Sequence, residues 1–430
     1  MLEVAYIEGG PVLRGVVRAA GSKNAALPIL AAALLTEEVV TLHGVPDLSD
    51  IRFMAEILRH QGAEVAQPRP GTWVIRAATL THRTPYDLVR KMRASVCLLG
   101  ALVGRLRRAE MAIPGGCVIG PRPIDLHLRG LETLGCAVAV EAGLVHVDAT
   151  NARGTEVDMG GPMGSTVLGT ANLVMAATLT PGVTRILTAA REPEVLDLCA
   201  LLIKMGADIR GQGTDTITVT GVTVLHGAEH TIIPDRIEVG TYLVAGAITG
   251  GDVTVEGAEP AHLEAFLAKL REAGVGVETA PGRIRAFGPP TRPVDVVTAP
   301  YPGFPTDLQA QFMALQLRVD GRSTFTEKIY PARFMHAAEL QRMGADIAVE
   351  GAVATVHGGK PLSGAPVMAS DLRASAALIL AALVAKGETW VQRLYHLDRG
   401  YERFEERLSQ LGAAVRRLPA NAMPKDLRED

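Results

Sequence analysis

The chain has 430 residues, 48% hydrophobic and 21% charged, near the globular averages of about 45–50% and 25%, which excludes a disordered or collagen-like chain. Its 43 Lys and Arg against 46 Asp and Glu leave a net charge of −3 with no long run of one sign, so no nucleic-acid or anionic-membrane footprint is visible. Cys97, Cys117, Cys136 and Cys199 form neither a CxxC pair nor a dense framework, which fits free thiols in a reducing, cytoplasmic setting.

At about 150 residues per domain the length suggests roughly three domains. The first residues, MLEVAYIEGG, have no basic stretch leading into an apolar one, so no secretory signal is read there. The longest near-apolar stretches, Ala25–Leu35 and Ala374–Ala385, fall short of the roughly 18–20 residues that span a bilayer, and a soluble protein is expected.

In chain order, a motif of leucine, glycine, a small residue and a β-branched one recurs. It reads LRHQGAEV at Gly62, LETLGCAV at Gly135, LIKMGADI at Gly206, LREAGVGV at Gly274, LQRMGADI at Gly344 and LSQLGAAV at Gly412. Each predicts an amphipathic helix closed by a left-handed glycine and followed by a strand. Upstream of each lies an Ala- and Leu-rich segment: AALPILAAALL, ASVCLLGALV, ANLVMAATL, TYLVAGAIT, AQFMALQL and ASAALILAAL. Segments apolar all round predict helices buried inside a domain. A regular spacing of about 70 residues marks six repeats, which group three and three into two domains with a seam near Glu229–Pro234. Paired domains create a cleft, where small-molecule sites commonly lie. The closing PANAMPKDLRED is expected to fray.

No GxGxxG follows a predicted strand, no Walker-type loop is complete and no GxSxG is present. HGAEH at His226–His230 fits H-x-x-E-H, but its β-rich surroundings and internal Gly227 argue against the helix that zinc ligation needs. No metal is expected.

In MAIPGGCVIGPRPIDLH, Cys117 lies among glycines and prolines with Arg122 and His127 downstream. Flexible backbone and a nearby guanidinium that raises the thiolate fraction suit a reactive group on a lid, whereas Cys97, Cys136 and Cys199 lie in apolar helical patterns and read as core. Lys23, Arg93, Arg373 and Arg399 are isolated cations in small or apolar surroundings, three of them at helix starts. With Arg122 they could hold phosphate and carboxylate groups, or each could be a solvated charge. Asp307, after a Pro- and Gly-rich turn at a helix start, reads equally as a helix cap or as a general base.

At these residues the chain resembles the enolpyruvyl transferases, from Ile7 to about Val415. The segments GSKNAALPILAAALL, RKMRAS, GGCVIGPRPIDLH, AAREPEV, PDRIE, GFPTDLQAQFMAL, RFMHAAEL, DLRASAAL and YHLDRGYERFEERL carry the likeness. The resemblance implies an α/β fold, an inside-out barrel of two domains with three repeats each. Residues 22–230 would form one domain, 1–21 with 231–418 the other, and 419–430 a flexible tail. It further implies transfer of the enolpyruvyl group of phosphoenolpyruvate to the 3′-hydroxyl of UDP-N-acetylglucosamine, releasing phosphate at the start of peptidoglycan precursor synthesis. By the same likeness Cys117 is the lid acid, open to covalent attack by the epoxide fosfomycin, and Asp307 the base. Lys23, Asn24, Arg93, Arg122 and Arg399 hold phosphoenolpyruvate, Lys23 and Arg399 also being catalytic. The sugar nucleotide meets Arg93, Arg122, Pro123, Ile124, Asp125, Leu126, Asp307 and Ile329, and also Thr166, Val167, Leu168, Arg333 and Asp371. No cofactor, nucleic acid or membrane partner is implied, and a monomer is the default. The branch that uses shikimate 3-phosphate lacks the cysteine lid and the RPxDLH strip. Two departures bear on acceptor affinity: Leu168 where the family has glycine, and Tyr330-Pro331-Ala332 ahead of Arg333. They leave room for a weakly active, sugar-nucleotide-binding regulatory protein.

Overall fold

In a computed structural model that describes residues 3–115 and 124–427, the six glycine motifs close six helices in the same way. Gly62, Gly135, Gly206, Gly274, Gly344 and Gly412 have φ between +89° and +102°, a region that a side chain disfavours. The residue after each glycine donates its N–H to the carbonyl of the motif leucine five positions back. The pairs are Ala63 to Leu58, Cys136 to Leu131, Ala207 to Leu202, Val275 to Leu270, Ala345 to Leu340 and Ala413 to Leu408, at 2.9–3.1 Å. This is the long bond of a Schellman cap. All six leucines are buried, so each motif stops a helix and anchors it in the core.

The chain folds into two compact α/β units: one holds the residues up to Ala20 and those from Pro234 onward, the other Gly21 to Ile233. Each has its own hydrophobic core. The Gly21–Ile233 unit is centred on helices Lys23–Ala32, Cys97–Leu106 and Val167–Thr178, and the other on Arg236–Ile248, Gln309–Gln316 and Leu372–Ala382. Nearly every residue of these helices is buried, as their all-round apolarity predicts. Close approach needs small residues. A Cβ on Gly100 would lie 2.2 Å from the Asn172 carbonyl oxygen.

Around each centre lie sheets built to one plan. Strand Glu156–Asp158 leads into helix Val167–Thr178, Val183–Leu187 leaves it parallel to that strand, and Asp208–Arg210 with Thr216–Thr220 completes four strands. This is a βαβ crossover with a hairpin attached. Two repeats exchange their leading strands: Arg14–Arg18 pairs with Asp252–Glu256, and Ala228–Thr231 pairs with Val39–His43. In the sixth sheet the N-terminal strand Glu3–Glu8 lies between Glu388–Gln392 and Ala414–Pro419. After this last strand, short turns at Ala420–Ala422 and Lys425–Leu427 continue the chain to the end of the described residues. Met423 is buried with Val4, Tyr6 and Trp390, and Leu418, Ala420 and Leu427 pack against this cluster. Among the described residues no helix is long and apolar enough to cross a membrane.

Candidate functional site

In the Gly21–Ile233 unit, Ser22 caps helix Lys23–Ala32, its Oγ accepting from the Ala25 N–H at 3.3 Å. Lys23, the first helical residue, places Nζ 2.9 Å from Asp50 Oδ2, and both side chains are buried. Asp50, in the first turn of helix Ser49–His60, is not evident from sequence because a carboxylate at a helix start reads as a routine first-turn charge. Asn24 follows, half-buried. The same helix packs beside the turn Arg93–Val96 that Arg93 opens.

Near Arg93, the His127 Nδ1 lies 2.8 Å from Asn172 Nδ2. An amide NH₂ only donates, so Nδ1 accepts and the ring proton belongs on Nε2. Burial, reinforced by the Arg93 charge, pushes His127 down to about 3, so the ring is neutral. Asn172 also donates to the Val96 carbonyl at 2.8 Å and accepts from the Gly100 N–H at 2.9 Å. One amide thereby ties together the turn at Arg93, helix Asp125–Thr133 and helix Val167–Thr178.

Ile124 is buried at the start of helix Asp125–Thr133, Asp125 is exposed and Leu126 half-buried. Leu126 rests on Gly161, where a Cβ would come within 2.8 Å of its Cδ1. Thr166 caps helix Val167–Thr178, accepting from the Gly169 N–H at 3.3 Å. The sequence suggests that Leu168 blocks an approach that glycine allows. A Cβ on Gly169 would sit 2.4 Å from Thr166 Cγ2, and Leu168 lies half-buried within the helix and packs on the core. Cys117, Arg122 and Pro123 lie outside the described residues. Burial pushes the thiols of Cys97 and Cys199 up to about 12 and that of Cys136 to about 11, so these three are inert core groups.

The other unit gathers its candidate residues around Asp307. The turn Thr306–Leu308 leads directly into the buried helix Gln309–Gln316, which fixes the backbone, and Gln311 donates to the Asp307 carbonyl at 2.9 Å. Asp307 Oδ1 accepts from Arg333 Nη1 at 2.7 Å, and Oδ2 accepts from Arg373 Nη2 and Nε at 3.0 and 3.2 Å. Burial alone would raise its pKa, but the two guanidinium groups reverse that and hold it well below the usual carboxylate range. The Asp307 side chain stays 25% exposed while Arg333 and Arg373 are 7% and 1% exposed. The carboxylate is therefore the more open side of the cluster and the arginines lie behind it. Arg373 clamps the carboxylate and is backed by the Tyr401 ring 5.3 Å from its guanidinium carbon.

Asp371 caps helix Leu372–Ala382 by accepting from the N–H groups of Arg373 and Ala374 at 2.8 and 3.1 Å, which aims Arg373. Ile329 is half-buried with its N–H committed to Glu327 Oε1 at 2.8 Å. The departure at Tyr330-Pro331-Ala332 falls in a turn whose Pro331 and Ala332 are exposed. That turn closes with the Arg333 N–H on the Tyr330 carbonyl at 2.9 Å.

Arg399 ends the short helix Leu394–Arg399 and is half-buried. Arg393 and Arg403, which bracket it, hold left-handed φ of 62° and 50°, conformations that persist only under tertiary constraint. Arg417 supplies one by gripping Asp398, next to Arg399, with a 3.1 Å bond from Nη1 and a second from Nη2. Gly400 supplies another, since a Cβ there would meet Leu372 Cδ1 at 2.4 Å. The histidines of HGAEH flank and enter strand Ala228–Thr231 and take separate partners, His226 with Glu38 and His230 with buried Asp197.

Compared with known proteins, the chain matches over residues 7–408 the family model described as EPSP synthase (3-phosphoshikimate 1-carboxyvinyltransferase). It is 52% identical to a Magnetococcus marinus protein named UDP-N-acetylglucosamine 1-carboxyvinyltransferase, covering 97% of this chain and 100% of that one. A Methylacidiphilum infernorum protein of the same name is 51% identical, with 97% and 99% covered. Among solved structures, the enolpyruvyl transferase NikO from Streptomyces tendae superposes with a TM-score of 0.87 at 28% identity, with 97% and 99% covered. EPSP synthase from Acinetobacter baumannii superposes at 0.73 with 16% identity, covering 97% and 100%, a likeness of fold.

Proposed function

The chain belongs to the EPSP synthase family of enolpyruvyl transferases, and we propose that it acts in the cytoplasm as a UDP-N-acetylglucosamine 1-carboxyvinyltransferase. It would transfer the enolpyruvyl group of phosphoenolpyruvate to the sugar nucleotide's 3′-hydroxyl at the start of peptidoglycan precursor synthesis. The observation that carries the reading is the full-length identity of 51–52% to proteins of that name. Identity to the shikimate-pathway structure is only 16%, which disfavours that acceptor.

In this reading Cys117 protonates the methylene carbon of phosphoenolpyruvate, and positive charge develops at the adjacent carbon. Lys23, Asn24, Arg93, Arg122 and Arg399 hold the phosphate and carboxylate, as charge-assisted donors suit such groups. The 3′-oxygen bonds to the cationic carbon and passes its proton to Asp307. The carbon–oxygen bond to phosphate then breaks as the new methyl group returns a proton to the Cys117 thiolate, giving the enol ether and a phosphate that carries off the proton taken by Asp307. Pro123, Ile124, Asp125 and Leu126 grip the uracil, and Thr166, Val167 and Leu168 face the diphosphate. Ile329 meets the nucleotide through its backbone. Arg333 and Asp371 serve by positioning, Arg333 directly and Asp371 through Arg373.

Held so acidic, Asp307 is ionised throughout the working pH range and is a weak base. That strength suffices, because a hydroxyl attacking a carbocation becomes strongly acidic as the bond forms. Oδ1 accepts one arginine bond and carries a second lone pair, whereas Oδ2 already accepts two bonds from Arg373. The test is phosphate release: it is expected only with phosphoenolpyruvate and UDP-N-acetylglucosamine together. Release with shikimate 3-phosphate in place of the sugar nucleotide would overturn the assignment.

A further inference from the structure

We propose that Glu327, outside every group assigned above, is the positioning residue that sets Asp307 and the Ile329 backbone jointly against the acceptor. The proposal rests on the functional reading just given. Glu327 follows strand Gly321–Thr326 and is 1% exposed. Its Oε1 accepts from Thr298 Oγ1 at 2.7 Å and from the N–H groups of Ile329 and Tyr330 at 2.8 and 3.0 Å. Its Oε2 accepts from Thr306 Oγ1 at 2.9 Å. Thr306 Oγ1 in turn accepts from Arg333 Nη1 at 3.0 Å, the same nitrogen that reaches Asp307 at 2.7 Å. One carboxylate therefore fixes two segments more than twenty residues apart in sequence, one bearing Asp307 and the other bearing Ile329 and Arg333.

The chemistry of the centre requires an acceptor-only group. Four donors converge on Glu327, three sharing Oε1 and one on Oε2, and a carboxylate offers acceptors at both oxygens. Because Thr306 spends its hydroxyl proton on Glu327, its oxygen is turned to Arg333 as an acceptor. Glu327→Gln keeps the shape but introduces an NH₂. Turned toward Ile329, Tyr330 and Thr298 it would face three donors, so the less costly orientation points it at Thr306. Thr306 must then swing its proton elsewhere and accept from the new NH₂ as well, which shifts the oxygen that Arg333 donates to. Small displacements of positioning groups cost large factors in rate, about a hundredfold for 1 Å.

The experiment compares wild type, E327Q, T306V and the double variant by steady-state phosphate release, each substrate varied in turn, with thermal unfolding as the control for folding. For E327Q we expect kcat to fall about 10- to 100-fold and the KM for UDP-N-acetylglucosamine to rise about fivefold, with the KM for phosphoenolpyruvate within twofold of wild type. T306V should show the same split, and the double variant should lose no more kcat than the worse single variant, since both cut one path. If E327Q does not fold, T306V alone carries the test. An unchanged acceptor KM with a loss of kcat that adds independently in the double variant would mean a merely structural role and overturn the proposal. Wild-type protein inactive toward this pair would overturn the functional reading, and the role of Glu327 with it.

Discussion

Replacing Asp307 by alanine should damage the fold as well as the chemistry, although a carboxylate offered to a substrate would be expected from sequence to be expendable for folding. The substitution removes three charge-assisted hydrogen bonds and leaves Arg333 and Arg373, 7% and 1% exposed, facing an empty corner. Removing one partner of a buried pair costs about 3–5 kcal/mol. Asp307 is a quarter exposed, so water moderates the loss and about 3 kcal/mol is expected. At roughly 2–4 °C per kcal/mol for a unit of this size, the melting temperature should fall by about 6–12 °C. The pH dependence gives a second handle. The folded pKa lies below the unfolded value of about 3.9, so the contribution is complete above pH 4 and disappears as pH falls toward the folded value. Urea unfolding at pH 7 and pH 3 should show a gap between wild type and D307A that narrows in acid. Adding Arg373→Met should recover part of the loss by removing an unpaired buried charge. Equal midpoints at pH 7, or a gap that widens in acid, would refute the clamp.

The cap glycines should separate conformational strain from crowding. Gly412 has φ of 100°, and a Cβ there would have nothing within 4 Å, so Gly412→Ala should cost about 1 kcal/mol. Gly62 has φ of 102°, and a Cβ would lie 2.5 Å from the Thr79 carbonyl oxygen, so Gly62→Ala should cost about 2–4 kcal/mol; equal losses by chemical denaturation would contradict the crowding. Asn172→Ala should cost about 2–3 kcal/mol by leaving the buried His127 Nδ1 without its donor. A melting temperature like wild type would show that this amide does not hold its three elements.

What the sequence determined by itself was local. A leucine five residues before a small residue, with glycine between, specifies a cap through backbone sterics alone, and all six caps formed as their letters require. Burial of the six small-residue helices was equally legible, because an element apolar on every side has no solvated face to offer. Which strands pair was decided only by the tertiary structure. Arg14–Arg18 joins Asp252–Glu256, and Glu3–Glu8 lies beside Ala414–Pro419, pairings across hundreds of residues that no short window encodes. The same holds at the candidate site. Asp307 and Arg373 are readable as isolated charges, but their meeting, Lys23's capture by Asp50 and the convergence of four donors on Glu327 come from packing that brings distant segments together. A charge at a helix start looks the same in sequence whether it faces water, a substrate or a buried partner, and only the fold removes the water that makes the difference.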